Sequence, residues 1–513
     1  MYISQAAARH RVKTKGASIP PPVGGLNARD ELANMDERDA IVLTNYFPDT
    51  SSVNLRNGFD EHVTGISGAV GSLMEWRGPT SQKLFAANAG AIYDVSTPGA
   101  VGAAVVSSLS NSAWSHTMMA TSGGNFLVMV NGADGVRTHD GTTWATQSIT
   151  GATAANLSFI WQHKRRLWFV EKASTSAWYL PVDSIAGAAA ELDIGPLLSL
   201  GGRLVAGASW SLDGGAGLDD YLVMISSAGQ LVVYQGTDPS DANAWSLVGV
   251  FRLAPPIGPR CFVNVGGDVA VLTIEGIFSL QGVLQLDRAA ADGASVTNKI
   301  NTLFARDAAL YGANNGWQML TYPKGRMAIV NVPTSATTSH QYVMNALTGA
   351  WCKFTGQNAT CWSRFNEDLF FAAAGTVYKA DTGTNDNGAA IPGDMLTAFN
   401  YMGGRGQLKQ FLMIRPILTA TGRVNPAIQL NFDFKEQTPT NVPLTTFGGG
   451  SVWDTAKWDV DVWAGSEETS AVWSSSFGLG YCAAVRMKTL STGVSIKVNA
   501  FDVTFQPGAM GIS

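Results

Sequence analysis

The chain contains little charge. Asp, Glu, Lys and Arg make up 14% of its 513 residues, against roughly 25% in ordinary soluble domains. The 34 Lys and Arg are outnumbered by 39 Asp and Glu, so the formal net charge is −5. Stable nucleic-acid binding depends largely on neutralising phosphates with basic side chains. The composition therefore argues against a DNA clamp.

Cysteines and long apolar runs are also scarce. No run of about 18 apolar residues could cross a bilayer, and no apolar stretch follows the basic residues near the N-terminus as a secretory signal requires. We therefore expect a chain that folds in a reducing cytoplasm and does not insert into a membrane. The four cysteines form no Cys-x-x-Cys pair and are expected to be buried thiols: Cys261, Cys352, Cys361 and Cys482.

The motifs of common catalytic and cofactor sites are missing as well. The sequence has no Gly-x-Ser-x-Gly elbow, no Walker-type phosphate loop, and no Gly-x-Gly-x-x-Gly between a strand and a helix. His116, His139 and His340 stand alone, without a second His or a Cys at ligand spacing. We therefore predict a chain without catalytic residues, cofactor or metal.

Glycines and aromatic residues are abundant. The 56 Gly, 15 Trp, 22 Phe and 12 Tyr are typical of a turn-rich β protein. From about residue 70, short apolar runs flank turns that end in Gly, as at Ser226–Gly229 and Ala373–Gly375. Such pairs predict β-hairpins in which the final glycine supplies a positive φ.

The spacing of these hairpins predicts a β-propeller. The steps between the strongest strands are 42, 41, 55, 41, 64 and 42 residues, and four of the six match the 40–45-residue period of a four-stranded blade. We assign the two long steps to insertions at Ser209–Asp220 and Asp287–Asn315. Polar turns followed by Trp144, Trp245 or Trp351 predict a Trp packed between successive blades. A β-sandwich is the alternative fold. The seven strands begin at Leu84, Phe126, Leu167, Leu222, Val263, Met327 and Leu369.

The blade spacing ends at a polar break, Asp381–Asp394. Longer alternating strands follow and predict a smaller, sandwich-like β platform domain. The predicted fold class is thus all-β, a propeller of about seven blades with this extra domain. The predicted divisions are an N-terminal strap over 1–60, the propeller over 61–385 and the platform over 386–513. The platform strands are expected at Phe411–Leu418, Ile428–Phe434, Ala483–Lys488 and Ser495–Phe505.

Three short runs in the first sixty residues carry a family resemblance. A Pro-rich lead is followed by Gly25-Leu26-Asn27-Ala28-Arg29-Asp30, then by an acidic link, Asn45-Tyr46-Phe47-Pro48 and Val53-Asn54-Leu55-Arg56-Asn57-Gly58. In order and type they resemble the opening of the nozzle and head-to-tail connector proteins of short-tailed bacteriophages, although Tyr46 stands where a Trp is more usual.

This resemblance implies a β-propeller protein of the virion tail, made in the host cytoplasm. Six copies would form a ring below the portal and its adaptor, carry tail fibres or spikes, and let genomic DNA pass during ejection. Arg29, Asp30, Tyr46, Phe47 and Arg56 are then candidates for docking a neighbouring subunit or the adaptor. The alternative is that the charged residues among them make only local ion pairs.

Two polar runs remain as candidate sites. Asp213, Asp219 and Asp220 flank a glycine-rich stretch, which predicts an acidic loop with an architectural role; a metal or acid/base site is the alternative. A glycan-processing propeller would use two of these carboxylates, or Glu275, as its acid pair, and a glycan-binding propeller would use exposed Trp residues. The basic run His163–Arg166 is interpreted as a solvated strand edge, with phosphate contact as the alternative.

Overall fold

The chain folds into two compact units in a computed structural model that describes residues 13–213, 218–284, 295–446 and 468–508. Unit 1 comprises residues 1–57, 350–353 and 383–513, and unit 2 comprises residues 58–349 and 354–382. Strands dominate both units. The α-helices Leu280–Leu284 and Asn301–Tyr311 and the 3-10 turns Ala154–Asn156, Gly195–Leu197 and Asn298–Ile300 all lie in unit 2.

Unit 2 contains seven groups of antiparallel strands that follow one another along the chain, and the sixth group belongs to a larger sheet. Blade 1 is Ser72–Arg77, Gln82–Ala87, Ala91–Asp94 and Val106–Ser107. Blade 2 is Ser115–Thr121, Gly124–Val130, Arg137–His139 and Trp144–Thr146. Blade 3 is Leu157–His163, Arg166–Glu171, Ser176–Tyr179 and Ala190–Asp193. Blade 4 is Leu204–Asp213, Leu218–Ser226, Gln230–Gly236 and Trp245–Arg252.

The remaining blades are less regular. Blade 5 is Phe262–Val265, Asp268–Thr273 and Gly276–Ser279. Blade 6 is Gln318–Tyr322, Met327–Pro333 and Ser339–Asn345. Blade 7 is Cys361–Phe365, Asp368–Ala373 and Thr376–Ala380, joined by Phe59–Thr64 from the start of the unit. Short parallel pairs complete the unit: Gly99–Ala100 with Phe59–Thr64, and Ile149–Thr150 with Gly187–Ala188.

The seven sheets form a closed ring. The first strand of each blade contacts the first strand of the next blade, and that of blade 7 contacts that of blade 1. Phe59–Thr64 closes blade 7 from the other end of the unit, pairing with Thr376–Ala380. Unit 2 is therefore a seven-bladed β-propeller, which confirms the predicted fold class. The seven strands chosen from the sequence fall in seven different blades.

The blades pack through alternate residues of strands that are buried on both faces. In blade 2, Leu127 and Met129 pack against blade 1, whereas Val128 and Val130 pack against blade 3. This alternation follows from the two-residue period of a strand. Trp144 lies against Phe85 of blade 1, with ring centroids 4.9 Å apart, and Trp245 lies 6.0 Å from Trp168 of blade 3. Both are inter-blade Trp residues as predicted, but Trp351 belongs to unit 1.

Two local predictions were wrong. Ser209–Asp220 is not an insertion, because Ser209 to Asp213 and Leu218 to Asp220 are paired residues of one long hairpin in blade 4. In the turn before Thr376, the positive φ belongs to Ala374, at 51°, and not to Gly375. A side chain at Gly375 would instead collide with the carbonyl oxygen of Ile66.

Unit 1 contains two facing groups of strands. The first comprises Lys15–Ile19, Tyr46–Pro48, Val53–Leu55, Lys409–Ala420, Glu468–Ser470, Ser474–Gly480 and Ile496–Pro507. The second comprises Gly25–Leu26, Asp39–Thr44, Trp351–Phe354, Ile391–Thr397, Ala427–Phe432, Leu444–Thr446 and Ala483–Thr492. Phe354 lies beyond the unit boundary.

The two groups of unit 1 meet through aromatic side chains. The Tyr46 hydroxyl is 2.8 Å from Oγ1 of Thr489, and the rings of Phe411 and Phe432 are 5.2 Å apart. The segment predicted as a separate strap contributes five strands to these groups. It is therefore part of unit 1, because its apolar residues complete that unit's core.

Candidate functional site

The Gly-Leu-Asn-x-Arg-Asp run folds around one asparagine. Asn27 Nδ2 donates to Asp30 Oδ2 at 2.8 Å and to Asp39 Oδ2 at 2.7 Å, while Asn27 Oδ1 accepts the backbone N–H groups of Arg29 and Asp30. Arg29 Nε lies 2.7 Å from Asp30 Oδ1 at the surface. The hydrogen bond from Arg29 to Asp30 raises the pKa of the Arg29 guanidinium. Arg29 is 46% exposed and is thus available to a partner.

The other two runs meet at a buried ion pair. Arg56 Nη1 and Nη2 donate to the two carboxylate oxygens of Asp386 at 2.7 and 2.6 Å, and the side chains are only 1% and 9% exposed. Arg56 Nε donates to Asn45 Oδ1 at 3.0 Å, and Asn45 Nδ2 donates to the Pro392 carbonyl at 2.8 Å. Asn45 has a φ of 58°, which Asn tolerates better than most residues.

The predicted docking role therefore has to be corrected for three residues. Tyr46 is fully buried, Phe47 is 7% exposed, and Arg56 is 4% exposed. Burial raises the pKa of the Tyr46 phenol above its usual range. These side chains hold unit 1 together because their partners lie within that unit, so they are not offered to a neighbouring molecule. Arg56 instead pairs with Asp386 inside unit 1, as the alternative interpretation of an ion pair within one subunit predicted.

The acidic residues of blade 4 belong to a β-ladder and not to a loop. Asp213 pairs with Leu218, Asp219 with Leu212, and Asp220 with Ser211. Ser211 Oγ donates to Asp220 Oδ1 at 2.5 Å, and Lys164 Nζ lies 3.4 Å from Asp220 Oδ2. Partial burial acts to raise the pKa of Asp220, but the Ser211 hydrogen bond and the Lys164 charge outweigh it and lower the pKa.

Glu275 lies on the face of the propeller opposite to the acidic residues of blade 4. It occupies the turn between the second and third strands of blade 5, whereas Asp220 lies near the start of the second strand of blade 4, at the end nearer the connection from the first strand. Successive turns of an antiparallel sheet lie at opposite ends of the strands. The two carboxylates are therefore on opposite faces of the propeller and cannot form one acid pair.

The basic run beside blade 3 is neutralised by carboxylates. Lys164 and Arg165 form the turn, with φ values of 47° and 58°. Each of the three cations has an acidic partner, so the run does not present unpaired charges to phosphates. The pairs are Lys164–Asp220 at 3.4 Å, Arg165–Asp183, and Arg166–Asp238 at 3.3 Å.

The buried carboxylate of Asp307 links the helix Asn301–Tyr311 to blade 6 through hydrogen bonds. Asp307 Oδ2 lies 2.9 Å from His340 Nε2 and accepts a hydrogen bond from the Tyr342 hydroxyl at 2.7 Å. Burial acts to raise the pKa of Asp307, but the hydrogen bonds from His340 and Tyr342 prevail and lower the pKa to about 2. Asp307 is therefore ionised at neutral pH and serves as a fixed acceptor.

The propeller axis is spanned by an arginine that sequence reasoning missed. Arg260 precedes blade 5, yet its Nη2 donates to the Gly71 carbonyl at 3.1 Å, Ser72 Oγ at 2.6 Å and the Trp114 carbonyl at 3.4 Å. Those acceptors belong to the starts of blades 1 and 2. Because neither blade is a neighbour of blade 5 in the ring, the side chain reaches across the axis. The only sequence signal was its place after the Pro-rich connection 255–259.

Cavities lie at the two ends of this axis. One, of about 460 Å³, is lined by Arg260 and by residues that begin the inner strands. The other, of about 580 Å³, is lined by Glu75, Arg77, His116, Trp362 and Arg364, among others. Within the described ranges, no three His, Cys, Asp or Glu side chains are grouped so that they could hold a metal ion. The described part also contains no helix with the length and apolar character to cross a membrane.

Comparisons with known proteins yield only distant structural similarity. No family model matches the chain, and no curated protein is similar to it. The WD40 β-propeller domain of Doa1 has a TM-score of 0.38 at 10% identity, covering 63% of this chain and 96% of that one. The β-propeller domain of Myceliophteria thermophila Cps50 (Swd1) has a TM-score of 0.40 at 12% identity, covering 63% and 99%.

The dihydro-heme d1 dehydrogenase NirN has a TM-score of 0.34 at 12% identity, covering 63% of each chain. At such scores these proteins carry no argument about function. The assignment of a seven-bladed propeller rests on the order and closure of the chain's own sheets.

Proposed function

We propose that this chain is a structural protein of a virion tail, in which several copies form the nozzle ring below the portal and its adaptor. The ring continues the DNA-ejection channel and offers a platform for tail fibres or spikes. Six copies is the number that the sequence resemblance implies. The chain is not an enzyme in this proposal, and its mechanism is mechanical.

One observation carries the proposal: residues of the matched runs contact one another. Asn45 and Arg56, from two separate runs, share a hydrogen bond inside unit 1, and Asn27 links Asp30 to Asp39. If the runs matched the family pattern only by chance, their residues would not be expected to contact one another in the folded chain. The matched pattern is thus an architectural one, which fixes the N-terminal segment to its unit and leaves Arg29 at the surface.

The channel along the axis of a single propeller is blocked, which favours a conduit formed between several copies of the chain. Arg260 spans that axis, so a DNA duplex cannot use the channel of one propeller. A ring of heterologously contacting subunits encloses a separate central hole. A chain with net charge −5 and few Lys and Arg lowers the phosphate-binding contribution that would retain DNA in such a hole.

The geometry gives less support to a glycan hydrolase. An acid catalyst of that class needs a raised pKa and a second carboxylate within roughly 10 Å. The pKa of Asp220 is instead lowered, and Glu275 lies on the opposite face. A glycan-binding role is the second candidate, since a cavity opens at the propeller axis. Trp114 and Trp317 line this cavity but are buried, so they are not the exposed Trp residues expected of such a site.

Electron cryomicroscopy of the particles that contain this chain tests the proposal. The expected image is a closed ring with a central hole, whose mass is six times that of the 54.1-kDa chain. A single copy per particle, or an open filament as the only assembly, would contradict it.

A pair of surface variants tests the docking part of the proposal. Arg29→Ala is expected to reduce incorporation into particles, because this exposed guanidinium is the matched basic residue that remains accessible. Arg38→Ala is the matched control, since Arg38 is also an exposed arginine in a local pair, with Asp36 at 3.5 Å. Equal incorporation of both variants would remove Arg29 from the docking surface.

A further inference from the structure

The cavity of about 460 Å³ at the propeller axis has the features of a small-molecule site. Its volume lies in the 300–1,000 Å³ range of typical ligand pockets. Its wall combines residues with hydroxyl and amide groups and aromatic residues, and Arg260 is the single charged residue among those that line it. Representative wall residues are Ser112, Trp114, Ser158, Asn315, Trp317 and Thr360.

Arg260 has hydrogen-bonding capacity that the protein leaves unused. Nη2 donates to three protein oxygens. Among the described residues, no hydrogen-bond acceptor is found for Nε or Nη1, and the Arg260 side chain lines the cavity. A guanidinium carries five N–H donors. Arg260 therefore has donors left with which it can bind an acceptor that enters the cavity.

The charge of Arg260 is not balanced by nearby described groups. The two ionisable side chains that interact with it electrostatically are His116 and Cys361. Desolvation inside the channel, and then the charge of Arg260, lower the pKa of His116. Burial raises the pKa of Cys361 to about 11. Both are neutral at pH 7, so the cavity wall carries one positive charge.

A single positive charge in a neutral polar wall selects among anions. A carboxylate is a monoanion at neutral pH and balances the guanidinium, whereas a phosphate monoester carries about two negative charges there. Hydrogen bonds between ionised partners are about twice as strong as neutral ones. The hydroxyl and amide groups of the wall suit a ligand body that is itself rich in hydroxyl groups.

We propose that this axial cavity binds a small monocarboxylate with a polyhydroxylated body, whose carboxylate accepts hydrogen bonds from the unpartnered N–H groups of Arg260. The ligand lies between the starts of the inner strands and contacts blades that are distant in sequence. The bound ligand thereby adds contacts between blades to the hydrogen bonds that Arg260 already makes across the axis. The inference does not depend on the proposed tail function.

Calorimetry on the full chain tests the inference with three probes. Glucuronate supplies a carboxylate and hydroxyl groups, glucose is its neutral counterpart, and inorganic phosphate is the competing anion. Saturable binding of glucuronate, at least tenfold tighter than that of glucose or phosphate and displaced by excess acetate, is the expected result. No binding of glucuronate, equal binding of glucose, or tighter binding of phosphate would overturn the inference.

Two variants locate the site. Arg260→Gln is expected to weaken glucuronate binding at least tenfold, whereas Arg364→Gln removes the same charge from the other axial cavity and leaves binding unchanged. Circular dichroism checks that each variant folds. If Arg260→Gln does not fold, Arg260→Lys retains the charge with a different donor geometry and is expected to bind measurably more weakly. Undiminished binding in the folded Arg260 variant, or equal loss in Arg364→Gln, would refute the assignment.

Discussion

Arg56 and Asp386 form a bidentate ion pair across 330 residues of sequence, with both N–O distances below 2.8 Å. The pair joins the end of the N-terminal segment to the chain that follows the propeller. Because its two side chains are almost fully buried, each charge depends on the other for compensation. The ion pair thus connects the matched N-terminal pattern, which contains Arg56, to the polar break at Asp381–Asp394, which contains Asp386.

Arg56→Ala is expected to destabilise unit 1 by about 3–5 kcal/mol, since it leaves the buried Asp386 carboxylate without its partner. Urea unfolding followed by fluorescence measures the change. Arg38→Ala, which removes an exposed arginine, is the control and should cost less than about 1 kcal/mol. A double variant, Arg56→Met with Asp386→Leu, should recover much of the loss, because no uncompensated charge remains. Equal effects of the two single variants would contradict the assigned importance of burial.

Because Phe59–Thr64 completes blade 7, we expect a propeller fragment to form the closed ring only if it includes this strand. A fragment covering residues 58–382 retains the strand Phe59–Thr64 and should unfold cooperatively. A fragment covering residues 66–382 lacks it and exposes the ladder of Thr376–Ala380. It also lacks Val63, which packs between blades 7 and 1. Hydrogen exchange should show that the Thr376–Ala380 amides bonded to Phe59–Thr64 are protected only in the longer fragment, whereas those bonded to Asp368–Ala373 are protected in both. Equal protection of the former amides in both fragments would show that closure does not depend on this strand.

His163 predicts an acid-sensitive step in stability. Its ring is 2% exposed and lies 2.8 Å from Ser209 Oγ. Burial first, and the neighbouring Lys164 charge second, lower its pKa to about 4 despite the opposing Asp220 charge. The unfolded chain takes up this proton near pH 6.5 and the folded chain only near pH 4. Stability should therefore fall as the pH falls between these values, by about 3 kcal/mol in total.

His163→Gln is expected to flatten that part of the stability curve, and an NMR titration of the wild-type ring should have its midpoint near pH 4. The measurement is urea unfolding at half-unit pH steps from 7 to 4. Indistinguishable slopes for wild type and variant would refute the assignment.

The acidic residues of blade 4 are predicted to be architectural. Purified wild-type protein should release no oligosaccharide from host polysaccharide. Asp219→Asn combined with Asp220→Asn should leave particle adsorption unaltered, and loss of the half-exposed Lys164–Asp220 pair should cost no more than about 1 kcal/mol. Oligosaccharide release by the wild type, abolished in the double variant, would instead establish a hydrolase and displace the structural proposal.

The sequence alone determined the local part of this fold. Hairpins form between neighbouring residues, so the spacing of apolar runs and turns predicted about seven blades. Of the three Trp residues predicted to lie between blades, two do so. The strands Lys409–Ala420, Ala427–Phe432, Ala483–Thr492 and Ile496–Pro507 match the four predicted for the platform to within a few residues. The spacing misassigned Ser209–Asp220 as an insertion, because the glycine-rich sequence within it has the composition of one.

Only the tertiary structure decided the contacts between distant parts of the chain. The sequence does not show that Arg56 pairs with Asp386, that Phe59–Thr64 closes blade 7, or that Arg260 spans the axis to Ser72. Each depends on ring closure or on the meeting of the two ends of unit 1, which brings together residues from 188 to 330 positions apart. Local propensity sets strand and turn positions, whereas the partner of a buried charge is set by the packing of the whole unit.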